Sequence, residues 1–313
     1  MTGFYEKLLA VSEASHVKTE EEMRKHTTFR VGGPAAYFVS PGSREELADI
    51  IRLCRQNEVE YFILGNGSNL LVGDGGYDGV VISMTGGFSF CEASHEAGFG
   101  TVRAGAGTSL ARVARAALEQ SLTGLEFAAG IPGSLGGAVV MNAGAYGSEM
   151  KDVLEYVIVM TEDGEIRRLS VEELAPGYRT SCILEKRYIV LEAGFRLKEG
   201  DPAAIKAYME ELAAKRKSRQ PLEYPSAGRT FKRPAGYFAG KLIEDAGLRG
   251  YRVGGAEVSE KHCGFVINKD KATAEDIVIL CDDVKKTVAE RFGVELEMEV
   301  KKVGTFWHKG DAK

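Results

Sequence analysis

Three short stretches of this 313-residue chain carry residues whose types and spacing could hold a phosphate. The first is Leu64-Gly65-Asn66-Gly67-Ser68-Asn69-Leu70. A short apolar strand over 61–64 runs into glycines whose backbone amides are unobstructed. Such a turn is a nest for phosphate oxygens, and Ser68 and Asn69 add neutral donors. No amphipathic helix follows directly, so this is not the dinucleotide fingerprint G-x-G-x-x-G. The second stretch, Gly105-Ala106-Gly107-Thr108-Ser109, opens a helix predicted to run from a Thr108 cap to about 120. A helix N-terminus adds partial positive charge. The third and most specific runs over 130–147, from Gly130-Ile131-Pro132-Gly133-Ser134-Leu135-Gly136-Gly137 to Asn142-Ala143-Gly144-Ala145-Tyr146-Gly147. Its tiny residues let backbone pass close to a flat ligand and its diphosphate, and a long glycine-rich loop inside a domain is usually functional.

Metal chemistry is not indicated. The five cysteines are scattered and odd in number, none forms a C-x-x-C pair, and Cys263 beside His262 has no second pair nearby in sequence. No metal site is expected. The thiols fit a reducing cytosol, and Glu6, Lys7 and Glu13 interrupt the N-terminal apolar residues, so a cytoplasmic location is expected.

The elements that position these loops follow from periodicity. Ser43-Arg44-Glu45-Glu46 reads as a capping box, with Leu47, Ile50, Ile51 and Cys54 at helical spacing behind it. Residues 4–25 read as helical and then irregular. Strands are predicted at 80–82, 101–104 and 188–197, and a hairpin at 153–161 and 165–169 around Asp163-Gly164. Past Gly200-Asp201-Pro202 helices are predicted to 218, over 236–246 and over 273–291, with strands at 264–268 and 294–300. The reading is α+β, with one α/β lobe over 1–85, a second over 86–200, a third α/β domain over 201–303 and a tail over 304–313.

Hydrophobic residues make up 44% of the chain and charged residues 27%, a globular composition, and the net charge is −5. No Lys/Arg-dense stripe stands out, which disfavours nucleic acid as a partner. No apolar run approaches a membrane span. The one basic run, Lys215-Arg216-Lys217 with Arg219, closes a predicted helix and reads as a solvated helix end.

The three glycine segments, in this order, resemble the FAD-binding domain of the vanillyl-alcohol-oxidase type. Within that type the string at 130–147 is similar to the UDP-N-acetylenolpyruvoylglucosamine reductase family. The likeness continues in Tyr178-Arg179-Thr180-Ser181, in 225–234, in Gly240-Lys241-Leu242-Ile243-Glu244 and in Leu296-Glu297-Met298-Glu299-Val300. It covers about 25–303 and points to the shorter, second type of the enzyme. It implies a two-lobed FAD-binding module, with Leu64–Leu70, Gly105, Gly107, Thr108, Gly130–Ser134, Gly136, Gly137, Asn142, Gly144, Ala145 and Gly147 around the cofactor, and a C-terminal substrate domain. The first glycine loop holds no histidine, which argues against the covalent tether of many flavin oxidases on this fold.

The resemblance implies that NADPH reduces bound FAD and that hydride then reaches the β carbon of an enolpyruvyl ether on UDP-N-acetylglucosamine. The enolate-like carboxylate so formed needs a cation and a proton at its α carbon. Arg179 matches the family's catalytic arginine and Glu299 its C-terminal glutamate. Tyr178, Arg219, Lys232 and Lys241 stand where the substrate could be met, and Tyr237 and Phe238 either wall its pocket or belong to a helix core. A monomer is expected. One departure matters. The family's Gly-Ser-x-Phe-Lys, with serine as proton donor, here reads Gly228-Arg229-Thr230-Phe231-Lys232. A guanidinium is a poor general acid. Thr230 or a water could supply the proton, Glu299 could be the acid, or the chain could be an FAD- or sugar-nucleotide-binding protein with impaired or altered activity.

Overall fold

The computed structural model describes residues 2–307; residue 1 and most of the tail expected over 304–313 lie outside the described residues. The chain divides into two compact units. The first holds the N-terminal residues up to Lys18 with Phe38–Asn66 and Val80–Arg216; the second holds Thr19–Tyr37, Gly67–Gly79 and the residues from Lys217 on. These bounds cut across the stretches expected at 1–85, 86–200 and 201–303.

In the first unit, antiparallel strands run in the order Ile166–Ser170, Leu154–Met160, Ile189–Glu199, Phe99–Gly105, Cys91–Glu96, and Leu122–Thr123 pairs with the central strand. Alternation places Val102 and Ala104, Val157 and Val159 in the core. Helix Leu110–Glu119 buries Leu110, Val113 and Ala117; its N-cap is Ser109, which accepts Arg112 N–H at 3.3 Å, not the expected Thr108. Thr108 is buried and its hydroxyl donates to Phe90 O at 2.6 Å, so it ties backbone together instead of capping. Tyr61–Leu64 pairs in parallel with Val80–Ser83, Tyr61 opposite Val80. Helix Arg44–Gln56 is capped by Ser43 Oγ, which accepts Glu46 N–H at 3.1 Å. The reciprocal half of the expected capping box is diverted: Glu46 accepts Gly42 N–H at 2.7 Å and bonds His16 Nδ1 at 3.0 Å.

In the second unit, Leu70–Val72 pairs in parallel with Lys301–Val303, Leu70 opposite Lys301. Asp74 accepts the N–H groups of Ala274 and Glu275 at 2.9 and 3.0 Å, at the start of helix Ala274–Phe292. These contacts explain why 67–79 belongs with the C-terminal part. Phe29, Leu71, Phe231, Ile243, Val266, Ile277 and Val284 share one core. The strand expected over 294–300 is shorter and later. Residues 297–299 make only single contacts with 230–232, and the regular ladder begins at Lys301.

Candidate functional site

In the first unit the start of the first glycine segment, Leu64–Asn66, converges with the second and third segments, and Ser134 is where they meet. Asn66 Nδ2 donates to Pro132 O at 2.7 Å, joining the first segment to the third. Leu110 N–H reaches Gly133 O at 3.0 Å, Leu135 N–H reaches Thr108 O at 2.8 Å and Gly136 N–H reaches Ala106 O at 2.8 Å, joining the second to the third. Gly65 lies against Ser134: a Cβ there would stand 2.2 Å from Ser134 Oγ, and the hydroxyl would have to turn away. That hydroxyl is buried and has no hydrogen-bond partner among the described residues. A buried donor without an acceptor needs an explanation, and a ligand oxygen supplies one.

The remaining glycine-segment residues fall into two kinds. Gly105 and Gly107 are packed against protein backbone: a Cβ would come within 2.2 Å of Phe88 O and 1.8 Å of Met84 O respectively, so their small size is demanded by the fold itself. Leu64 is buried at the end of its strand. Gly144–Ala145 and Ser148–Glu149 form a small antiparallel hairpin, with Tyr146 and Gly147 at its tip, both at positive φ. Gly147 has open space where a Cβ would be. Ile131 N–H bonds Ala128 O, and Gly137 lies 3.5 Å by its Cβ position from Ser134 Oγ.

Asn142, expected to touch cofactor, is buried and fully committed to protein. Its Nδ2 donates to Glu149 Oε2 at 2.8 Å and Gly177 O at 3.2 Å, and its Oδ1 accepts Lys151 N–H at 3.0 Å. Asn142 is a hub that carries the turn Gly177-Tyr178-Arg179-Thr180. That turn closes with Gly177 N–H on Thr180 O at 3.0 Å, and Ser181 Oγ anchors its far side to Val140 O at 2.9 Å. Arg179 adopts φ +57°, a region costly for a side-chain-bearing residue and kept only where surroundings enforce it. Its guanidinium lies 5.2 Å from the ring centre of Tyr178, which is exposed.

One residue escaped the sequence reading. Arg216, taken for part of a solvated helix end, is half-buried, and a Cβ on Gly130 would meet its Cδ at 3.4 Å. It makes no hydrogen bond or ion pair among the described residues, and burial pushes its pKa down. The signal was available: Arg216 follows buried Ile205 and Leu212 at helical spacing on helix Pro202–Arg219. An unpartnered cation beside Gly130 and an orphaned hydroxyl at Ser134 suit a diphosphate, so the residues fit FAD.

The second unit gathers the other candidates. Lys232 N–H bonds Glu297 O and Glu299 N–H bonds Thr230 O, both at 2.8 Å, so 230–232 runs antiparallel against 297–299. Asn69 Nδ2 donates to Glu299 O at 3.2 Å. Gly67 is held by Thr28 N–H on its carbonyl, and Leu70 lies in the parallel ladder. Thr230 is fully buried and its Oγ1 accepts Val266 N–H at 2.9 Å; it secures the core and is badly placed to donate to a ligand. Arg229 is exposed and makes no hydrogen bond or ion pair among the described residues. Lys232 pairs with Glu297, and Lys241 with Asp245 at 2.5 Å on an exposed helix face. Arg219, at the helix end, is exposed. Tyr237 and Phe238 are exposed too, so neither is helix core, and the Arg233 guanidinium stacks 4.0 Å from the Phe238 ring centre. All five cysteines are free, and among the described residues no group of three or more His, Cys, Asp or Glu is placed to hold a metal.

Comparison with known proteins adds what geometry alone leaves open. A family model described as an FAD binding domain matches residues 35–170, and one described as the C-terminal domain of UDP-N-acetylenolpyruvoylglucosamine reductase matches 220–303. Curated relatives bearing that enzyme's name from Agathobacter rectalis and Clostridium novyi are 55% and 54% identical, over 92% and 95% of this chain and 94% and 95% of theirs. The crystal structure of the Thermus caldophilus enzyme superposes with a TM-score of 0.76 at 38% identity, covering 92% of this chain and 98% of that one. The fold is therefore the expected mixed α/β FAD-binding module with a C-terminal domain, and the chain belongs to the UDP-N-acetylenolpyruvoylglucosamine reductase family.

Proposed function

We propose that this chain catalyses the NADPH-dependent reduction of UDP-N-acetylglucosamine enolpyruvate to UDP-N-acetylmuramate, using non-covalently bound FAD. The observation that carries the reading is the meeting of three glycine segments on the orphaned Ser134 hydroxyl, with the Arg179 turn hung from the same segment through Asn142. When bound, FAD supplies a two-electron carrier between NADPH and the enol ether.

The chain's own residues do the rest. Ser134 Oγ and Arg216 would hold the diphosphate, the hydroxyl as a donor and the guanidinium as the compensating charge. Gly65, Asn66 and the 130–137 backbone would shape the cradle. Arg179 meets the substrate carboxylate and stabilises the negative charge that develops there. Glu299, held by backbone to Thr230, assists at the intermediate. Tyr178, and basic groups such as Lys232 and Arg229, favour an anionic sugar nucleotide.

The reaction belongs to peptidoglycan precursor synthesis and hence to cell shape and division. It draws on a cytoplasmic UDP-sugar, and a single chain holds all the groups named. No helix among the described residues is long and apolar enough to cross a membrane. The rival reading, a binding protein without reductase activity, rests on Arg229 alone. Purified protein incubated with NADPH and the enolpyruvyl substrate decides between them. Mass spectrometry is expected to find the lactyl ether, with NADPH consumed one for one; flavin-loaded protein that yields no lactyl ether would sink the proposal.

A further inference from the structure

If the chain is this reductase, something must protonate the α carbon of its substrate, and Arg229 stands where the family has a serine. Beside Arg229 is an imidazole with unusually defined chemistry. Gly264 N–H donates to His262 Nδ1 at 3.0 Å, so Nδ1 is the acceptor and the ring proton sits on Nε2. The carbonyl of the same Gly264 accepts Thr230 N–H at 3.0 Å, which ties the ring to the residue after Arg229. Packing holds the imidazole still. Phe265 meets it edge-on, centroids 5.0 Å apart, and Cβ atoms on Gly240 and Gly264 would stand only 3.2 and 3.0 Å from its Cε1. Nε2 makes no hydrogen bond among the described residues.

We propose that His262 Nε2–H is the proton donor of this enzyme, in the role the family pattern gives to serine; the proposal rests on the reductase reading above. As hydride from the NADPH-derived pair reaches the β carbon, the alkene electrons move onto the α carbon and its carboxylate. The α carbon then forms a C–H bond with the Nε2 proton. The N–H bond breaks, its electron pair stays on the ring, and water returns a proton to Nε2. A neutral imidazole used as a donor is established enzyme chemistry. Arg229 is exposed and held by no hydrogen bond or ion pair among the described residues, and its charge supports the role. Burial first, and Arg229 second, hold the His262 pKa below its ordinary value, with Glu244 opposing, so the ring is neutral near pH 7. The same positive charge stabilises the ring while its proton is away.

Epistasis with residue 229 tests this. Native protein, His262→Ala, His262→Gln, Arg229→Ser and the double variant His262→Ala/Arg229→Ser are reduced with NADPH without oxygen and mixed with UDP-N-acetylglucosamine enolpyruvate in a stopped-flow spectrometer. Both His262 variants are expected to be bleached by NADPH like native protein but reoxidised about 10²–10⁴-fold more slowly. The double variant should regain at least about tenfold of that loss, since serine restores a donor. A packing role for His262 would not be rescued by serine at 229. His262 variants reoxidised at the native rate, or slow variants that serine fails to rescue, overturn the proposal alone. Native protein bleached by NADPH but never reoxidised by this substrate overturns the reductase reading as well.

Discussion

Asn142 Nδ2 donates to the carbonyl of Gly177 at 3.2 Å, and this bond fastens the Arg179 turn to the segment expected to hold the flavin. Cofactor segment and candidate catalytic arginine are one mechanical unit. Removing the amide leaves the N–H of Lys151 without its partner and Gly177 O with only the long bond from Thr180 N–H at 3.5 Å.

Asn142→Ala is therefore expected to cost about 1–3 kcal/mol of stability. It should also lower kcat by roughly tenfold or more, because misplacement of an aligned group is expensive. Flavin content should stay near native. Chemical denaturation, steady-state kinetics and the absorbance ratio of flavin to protein check the three parts; unchanged kcat would remove Asn142 from the positioning of Arg179.

Two glycine-to-alanine changes should separate the two kinds of glycine. Gly107→Ala drives a methyl into Met84 O, which is backbone and cannot move aside, so a stability loss of at least about 1–3 kcal/mol is expected. Gly65→Ala meets only the Ser134 hydroxyl, which can rotate. The fold should survive while FAD affinity drops. Thermal unfolding of apoprotein beside flavin titration reads both effects, and equal losses of stability in the two variants would contradict the distinction.

Arg216→Met keeps the stem that packs on Gly130 and removes the charge. The FAD dissociation constant should rise by roughly ten- to hundredfold, the value of a charged hydrogen bond of about 1.5–3 kcal/mol. Fluorescence titration of apoprotein with FAD measures it, and unchanged affinity would return Arg216 to the solvated surface.

The His16–Glu46 pair gives a pH signature unrelated to catalysis. Its bond to Glu46 raises the His16 pKa above 6.5, so that contribution is complete below pH 6.5 and fades as pH rises through the higher folded value. For Glu46, burial pushes upward, but bonds from Ser12, Gly42 and His16 outweigh it and leave the pKa below 4.5. Its contribution is present above pH 4.5 and lost on further acidification. Native protein should exceed His16→Gln by the most near pH 5–6, by about 0.2–1 kcal/mol. A stability difference between the two that does not change from pH 5.5 to 8.5 would contradict this.

Much of the site was legible because its signal was compositional. Glycine clustered where Gly105 and Gly107 had to approach other backbone, and amphipathic helices such as Leu110–Glu119 announced themselves by period. What escaped was polar or non-local. Strands Val17–Glu22 and Cys91–Glu96 are mostly exposed, so they lack the apolar alternation that marks a half-buried strand. Asn142 looked like a ligand contact because nothing in the string shows that the carbonyl of Gly177, 35 residues on, accepts its hydrogen bond. Arg216 looked like surface because neighbouring Lys215 and Lys217 are. The tautomer of His262 depends on Gly264 N–H pointing back at the ring, a matter of backbone geometry.

The central claim is that the loops around Ser134 hold an FAD that passes electrons from NADPH to an enolpyruvyl sugar nucleotide. An anaerobic titration of the flavin absorption band tests it most directly. One equivalent of NADPH should bleach the band, one equivalent of UDP-N-acetylglucosamine enolpyruvate should restore it, and acid precipitation should leave the flavin in the supernatant. A band that NADPH does not bleach, or that the substrate does not restore, would contradict the account.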